Sequence, residues 1–363
     1  MNYPINKPFL PNFAAYQAQL ESIYQRNWLT NNGPCVQALE QQLTDYLGVE
    51  YLLLVSNGTV ALQLAYAALG IQGAVLTTPF SFAATASTLC WEKLTPQFID
   101  IDASTYNLDV SLITAEQAAK ASAILGVHVF GNPCDVAAID EFAKQNQLKV
   151  IYDAAHAFAS PVGDKSALCF GDAATLSLHA TKLFHSIEGG AIIFKDKATY
   201  LKAKQMVNFG FDAEQFPEYV GINAKMSEMH AAMGLCVLNE FEQVLTHRQT
   251  LVQEYQRLLS GVVQLQQWHA DGMNNGAYMP VVLPSEMELQ RVSAALLEQG
   301  IQTRRYFYPS LSQVPAYGQR GATPIANDIS ARIVCLPLYT DLTLDGVREI
   351  CDALTTILAE GQR

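Results

Sequence analysis

The chain has 363 residues, half of them hydrophobic and 15% charged, enough to bury an extensive core in two domains. Its formal charge of −12, with no Lys/Arg stripe to offset it, argues against a nucleic-acid binder. Seven scattered cysteines without CxxC pairs argue against a disulfide framework or a zinc site, and residues 1–11 lack a signal-peptide pattern, so a cytoplasmic protein with no metal and no membrane partner is expected.

Residues 1–30 read as an arm and one helix that pack on a C-terminal domain or on a neighbouring subunit. From about residue 50 to 195, short apolar strands alternate with helices. The pattern predicts strands over 51–55, 74–77, 96–101, 123–129, 149–153, 173–178 and 191–194, and helices over 60–69 and 82–91. Continuous apolar strands separated by helices imply an α/β fold, with a mostly parallel sheet covered on both faces. In such sheets functional groups gather where strands end, as Ser56, Asp153 and Ser177 do. A long helix with a break is predicted from 226 to about 259. Strand-like runs at 277–283, 302–306 and 332–336 follow, with helices at 285–299 and 344–358. The expected division is an arm over 1–30, a large domain over 31–245 and a small α+β domain over 246–363.

Three runs carry chemistry. Lys182 follows Ser177-Leu178-His179-Ala180-Thr181 and precedes the turn Glu188-Gly189-Gly190, which sets an amine on a short hairpin-like excursion. Asp153 ends an apolar strand, where a carboxylate needs a cationic or hydrogen-bonding partner. Such an amine can form a Schiff base with an aldehyde cofactor, and such a carboxylate can keep a pyridine nitrogen protonated, the two groups a pyridoxal phosphate (PLP) enzyme needs. Ser56-Asn57-Gly58-Thr59 offers backbone N–H groups and a hydroxyl at a helix start, which suits one phosphate. Each has an ordinary alternative: Lys182 as a solvated loop residue, Asp153 as a helix cap, and Ser-Asn-Gly as a plain N-cap. Ser177 could be a second phosphate ligand or bond only to backbone. Phe82 could stack on a ring or belong to the core, and His156 could approach the cofactor or order Asp153. No GxGxxG turn, P-loop or HExxH motif is present.

Taken in order, Ser-Asn-Gly-Thr, Thr-Thr-Pro-Phe-Ser-Phe, His-Val-Phe-Gly-Asn-Pro-Cys-Asp, Tyr-Asp-Ala-Ala-His-Ala-Phe, Leu-His-Ala-Thr-Lys-Leu-Phe and Asn-Ala-Lys-Met-Ser-Glu-Met-His resemble the DegT/DnrJ-type nucleotide-sugar aminotransferases. These are fold type I PLP enzymes, and the resemblance runs from Trp28 to Pro309. It implies that Lys182 is the Schiff-base lysine and proton shuttle, that Asp153 pairs with the pyridine nitrogen, and that Phe82 stacks on the ring with His156 beside it. Gly58, Thr59 and Ser177 would hold the phosphate. Asn223 would reach the phosphate of a second subunit, making the active unit a homodimer. L-Glutamate would be the amino donor. The His-Ala-Thr-Lys-Leu-Phe-His version most resembles enzymes that aminate C4 of dTDP-4-keto-6-deoxy-D-glucose. Amination at C3, a PLP-dependent sugar dehydratase and a non-catalytic regulatory protein of the same fold are the alternatives. Arg304, Arg305 and Tyr308 are candidates for meeting the nucleotide diphosphate.

Overall fold

A computed structural model describes residues 2–318 and 322–361. In chain order its elements are α1 (Phe13–Arg26), α2 (Pro34–Leu47), β1 (Tyr51–Val55), α3 (Gly58–Leu69), β2 (Ala74–Thr77), α4 (Ala83–Trp91), β3 (Thr95–Phe98), α5 (Ala115–Lys120), β4 (Ala121–Val127), α6 (Val136–Asn146) and β5 (Lys149–Asp153). A short hairpin, β6 (Pro161–Val162) and β7 (Lys165–Ser166), precedes β8 (Ala173–Ser177), β9 (Gly190–Phe194) and α7 (Lys197–Met206). Then come α8 (Glu228–Leu259), β10 (Gln264–Leu265), β11 (Pro280–Val282), α9 (Glu286–Glu298), α10 (Pro324–Arg332), β12 (Ile333–Cys335) and α11 (Leu344–Gly361).

Seven strands form the main sheet in the order β1-β9-β8-β5-β4-β2-β3, and β9 alone runs against its neighbours. All seven predicted strands are present, and the fold is α/β as expected. Two of them, β3 and β4, differ by more than one residue at an end. β3 stops at Phe98, because Asp100 turns away to accept the Ile325 and Ala326 N–H groups at the start of α10 (2.9 and 2.8 Å). β4 begins and ends two residues early, because at His128 the chain enters a tight turn in which Phe130 has φ 59°. The predicted break in the long helix does not occur. α8 is continuous for 32 residues, with Ser227 capping the His230 N–H at its start. α10 has no counterpart among the predicted elements, although Pro324 in its first turn is a helix-start signal.

Apolar side chains pack on both faces of the sheet. One face lies under α2, α6 and the first half of α8 (Leu39, Leu43, Ile139, Val237, Phe241), and the other under α3 and α7 (Leu62, Ala65, Ala203, Met206). The second half of α8 (Leu251, Tyr255, Leu259) belongs to a separate core with β11, α9 and α11. Phe80, Phe130, Val282, Phe307 and Ile333 fill the seam between the sheet end and the smaller sheet. At the outer edge of the sheet, on β1, the Glu40 carboxylate accepts the Leu54 N–H at 2.9 Å.

Candidate active site

Because β9 is antiparallel, β1, β2, β4, β5 and β8 all point their C-terminal ends the same way, and the loops leaving them converge. At that end lies a cavity of about 360 Å³. Of the predicted residues it gathers Gly58, Thr59, Phe82, Asp153, His156, Ser177, Lys182 and Arg304.

The floor is built by β5 and β8. Asp153 is buried, and its carboxylate accepts from the Thr85 hydroxyl at 2.7 Å and from the Ala155 N–H at 3.2 Å. Thr85 is itself 2.7 Å from the Ser81 hydroxyl, so a chain of hydroxyls around the start of α4 steadies the acid. Burial nevertheless raises the Asp153 pKa, with the Thr85 and Ala155 hydrogen bonds and the Lys182 charge pulling the other way. Asp153 is therefore not a helix cap; it is a desolvated acid facing a cavity.

Lys182 rides the hairpin between β8 and β9. The Ala180 N–H donates to Ile187 (2.7 Å), the Leu178 N–H to Gly189 (2.8 Å) and the Lys182 N–H to His179 (2.9 Å), closing the excursion. Although its side chain touches the cavity, desolvation lowers its pKa to about 8, and the Asp153 charge opposes that shift. A lysine of this kind is partly neutral near neutral pH, which an amine nucleophile or base requires. It is not a solvated loop charge.

His156 is buried between aromatic rings, stacked at 5.8 Å on Phe307 and tilted at 4.7 Å against Tyr278. Burial first, and then the Lys182 charge, hold its pKa well below the usual range. Its Nδ1 is buried without a hydrogen-bond partner among the described residues. An orphaned ring nitrogen beside a polar cavity asks for a ligand group.

The anion cradle is the start of α3. Asn57 caps the Val60 N–H at 2.9 Å, while the first N–H groups of the helix have no carbonyl within it to meet. A Cβ at Gly58 would lie 2.9 Å from the Ser177 Cβ, and one at Gly190 would lie 2.5 Å from the Asn57 carbonyl carbon. Bare backbone is thus what lets α3, β8 and β9 approach closely enough to form the cradle. Phe82 is not a core residue. It is 56% exposed, at the N-cap of α4 and on the cavity wall, where a planar ring could lie against it. One phosphate, one ring and one amine-reactive group fit these residues.

Three predicted residues are not brought into this cavity. Asn223 is exposed, in a bridge with Asn208, on a strip whose Ala224 carbonyl accepts the Ser56 N–H at 2.8 Å. Arg305 donates to Glu286 (2.9 Å) and to the Ala331 carbonyl (3.0 Å), and it stacks 3.4 Å over the Tyr308 ring. Both Arg305 and Tyr308 line a smaller groove of about 220 Å³ that also reaches Phe82 and Arg304. Sequence reasoning missed Thr85, Tyr278, Tyr306 and Phe307. Thr85 had a signal, lying one helical turn after Phe82, and so had Tyr306 and Phe307, which stand between the candidates Arg305 and Tyr308; Tyr278, just before β11, had none.

No group of three or more His, Cys, Asp or Glu residues suited to a metal occurs among the described residues. Residues 14–355 match the DegT/DnrJ/EryC1/StrS aminotransferase family. The chain is 39% identical over 360 residues to a dTDP-4-amino-4,6-dideoxy-D-glucose transaminase of Shigella dysenteriae, covering 97% of this chain and 98% of the relative. It is 29% identical over 338 residues to a GDP-perosamine synthase of Escherichia coli O157:H7, covering 92% and 93% of the two chains. The crystal structure of DesI, determined with its TDP-sugar product, superposes with a TM-score of 0.93 at 32% identity, covering 99% of this chain and 94% of DesI. The chain belongs to the DegT/DnrJ/EryC1/StrS aminotransferase family, and it is an enzyme of the PLP-dependent sugar-nucleotide aminotransferase class.

Proposed function

We propose that this enzyme holds PLP in the 360 Å³ cavity and moves an amino group from L-glutamate to C4 of dTDP-4-keto-6-deoxy-D-glucose, giving a 4-amino-4,6-dideoxy sugar. The observation that carries the reading is the meeting of a pKa-lowered amine, a desolvated acid and a helix N-terminus around one cavity. The C4 assignment draws on the relatives: two at 39% identity are dTDP-4-amino-4,6-dideoxy-D-glucose transaminases, whereas a 3-oxo-glucuronate aminotransferase is 29% identical.

Bound PLP supplies a protonated pyridine ring that accepts the electron pair of a breaking C–H bond. Asp153 keeps that ring nitrogen protonated: a cationic partner offsets the desolvation that raises its pKa, so ligand and acid stabilise one another. Lys182 would hold the cofactor, and its amine, neutral in part near neutral pH, would move the proton between the cofactor carbon and the sugar carbon. Gly58 and Thr59 N–H groups and the Ser177 hydroxyl meet the phosphate at the start of α3. Phe82 covers one ring face, and the neutral His156 offers its free Nδ1 beside the ring. Arg304, which borders the cavity, suits the anionic end of the sugar nucleotide.

Asn223 serves the phosphate of a second subunit in this reading, so the working unit is a homodimer. Exposed Phe209, Phe216, Val220 and Ile222 on the same strip are consistent with such an interface. No described helix is long and apolar enough to cross a membrane.

The test is a reaction with PLP, L-[15N]glutamate and dTDP-4-keto-6-deoxyglucose, read by mass spectrometry and NMR. Nitrogen-15 on C4 of the sugar is the expected result. Label at C3 would overturn the regiochemistry, and an unlabelled sugar would overturn this donor–acceptor pair.

A further inference from the structure

The segment from Tyr3 to Phe9 ties two parts of the enzyme together. At its start it is part of the small-domain rim. The Tyr3 N–H donates to Gly300 (2.8 Å), and the Gln302 N–H donates back to Tyr3 (2.9 Å), in a parallel bridge with Ile301. The Leu338 N–H donates to the Ile5 carbonyl at 3.2 Å, and the Lys7 ammonium sits 3.8 Å from Asp341 and 4.8 Å over the Tyr339 ring.

The same segment then crosses to the hairpin that carries Lys182. The Asn6 amide donates to the Thr181 carbonyl at 3.0 Å, on the peptide that joins Thr181 to Lys182. The Phe9 carbonyl is 2.7 Å from His185 Nε2. A carbonyl only accepts, so Nε2 carries the proton and Nδ1 is free to accept the Ile187 N–H, 3.3 Å away. His185 is buried and its pKa is lowered by that burial, which favours the neutral ring this two-way role needs. Ile187 in turn accepts the Ala180 N–H. The excursion is therefore held from outside at Thr181 and, through His185, at Ile187.

We propose that residues 3–9 are a strap that positions the lysine hairpin against the small-domain rim, with Asn6 and His185 as positioning residues. The connection alternates hydrogen bonds with short stretches of backbone. Arg304 lies two residues after Gln302, in a bridge with Cys335, and Gln302 holds the strap that holds Thr181. The inference rests on Lys182 being the reacting amine, but its test reads the hairpin itself.

The test is amide hydrogen exchange, resolved by residue, on the full-length cofactor-free protein and its Asn6→Ala and Asn6→Asp variants. Asn6→Asp keeps the shape and removes the donor. Both variants are expected to speed exchange at Ala180 and Lys182 by about three- to tenfold, the scale of one hydrogen bond, with β8 and β9 unchanged. Both should also take up PLP more weakly, read as lower visible absorbance at a fixed cofactor concentration. Unchanged exchange at Ala180 and Lys182 in either variant overturns the strap, as does equal acceleration through β8 and β9. A wild-type protein that gives no visible absorbance with PLP overturns the functional reading, while the exchange data still decide on the strap.

Discussion

The cavity has two sides that are organised differently. On the sheet side, Asp153, Ser177 and Lys182 each stand at or just beyond the end of a strand, and topology sends those ends to one place. On the small-domain side, Arg304 and Arg305 are adjacent and both line the smaller groove, yet they are engaged differently. Arg304 borders the cavity, whereas Arg305 is committed to Glu286, the Ala331 carbonyl and the Tyr308 ring. Position along the chain governs the first side, and the register of Arg304 against Cys335 governs the second.

The strongest way to break this contrast is at the hairpin. Lys182→Ala should lower kcat by on the order of a thousandfold or more in steady-state assays, because nucleophile and proton carrier vanish together. Turnover within tenfold of wild type would remove Lys182 from its role. Asp153→Asn should cost on the order of a hundred- to a thousandfold in kcat. In the cofactor-free protein, however, the same change should leave Tm level or raise it, since it removes a desolvated acid. The folded-state pKa of Asp153 lies above its unfolded value, so its stabilising contribution is complete below the unfolded pKa. That contribution is lost as pH rises through the folded pKa, and thermal melts of wild type against Asp153→Asn across that window check the sign.

On the small-domain side, Arg304→Ala should raise KM for the sugar nucleotide about ten- to a hundredfold, the weight of a charge-assisted bond. Arg305→Ala should leave KM nearly unchanged and cost no more than about 1 kcal/mol of stability, its ion pair being partly solvated. Equal KM effects in the two variants would erase the distinction between the neighbours. The smallest effect is on pH: the rate of PLP uptake should be half-maximal near pH 8, where the Lys182 amine becomes neutral, and should plateau above it. Asp153→Asn should move that midpoint lower, because the Asp153 charge raises the lysine pKa.

Much of the sheet side was legible in residue order. Hydrophobic runs of strand length, each broken by a polar group, announced seven strands and the residues at their ends, and the Glu188-Gly189-Gly190 turn announced a hairpin under Lys182. The rest depends on long-range contacts that a linear reading does not contain. Nothing local says that Thr85 turns its hydroxyl to Asp153, that Phe307 stacks on His156, or that Arg305 finds Glu286. The predicted break in α8 failed for a related reason. The helix changes neighbours midway, from Phe241 in one core to Leu251 in another, and a change of partners along an unbroken rod resembles an interruption in pattern.

That rod limits how the enzyme can be recombined with its relatives. At ~1.5 Å per residue, the 32 residues of α8 span roughly 48 Å, and both cores grip the same piece of backbone. A chimera that exchanges everything after α8 would leave its second half, Leu251, Tyr255 and Leu259, facing a foreign core. Grafting a new substrate rim therefore calls for Leu251, Tyr255 and Leu259 of α8 to be matched to the incoming β11, α9 and α11, with Tyr3 to Phe9 drawn from the same parent as Gly300, Gln302 and Leu338.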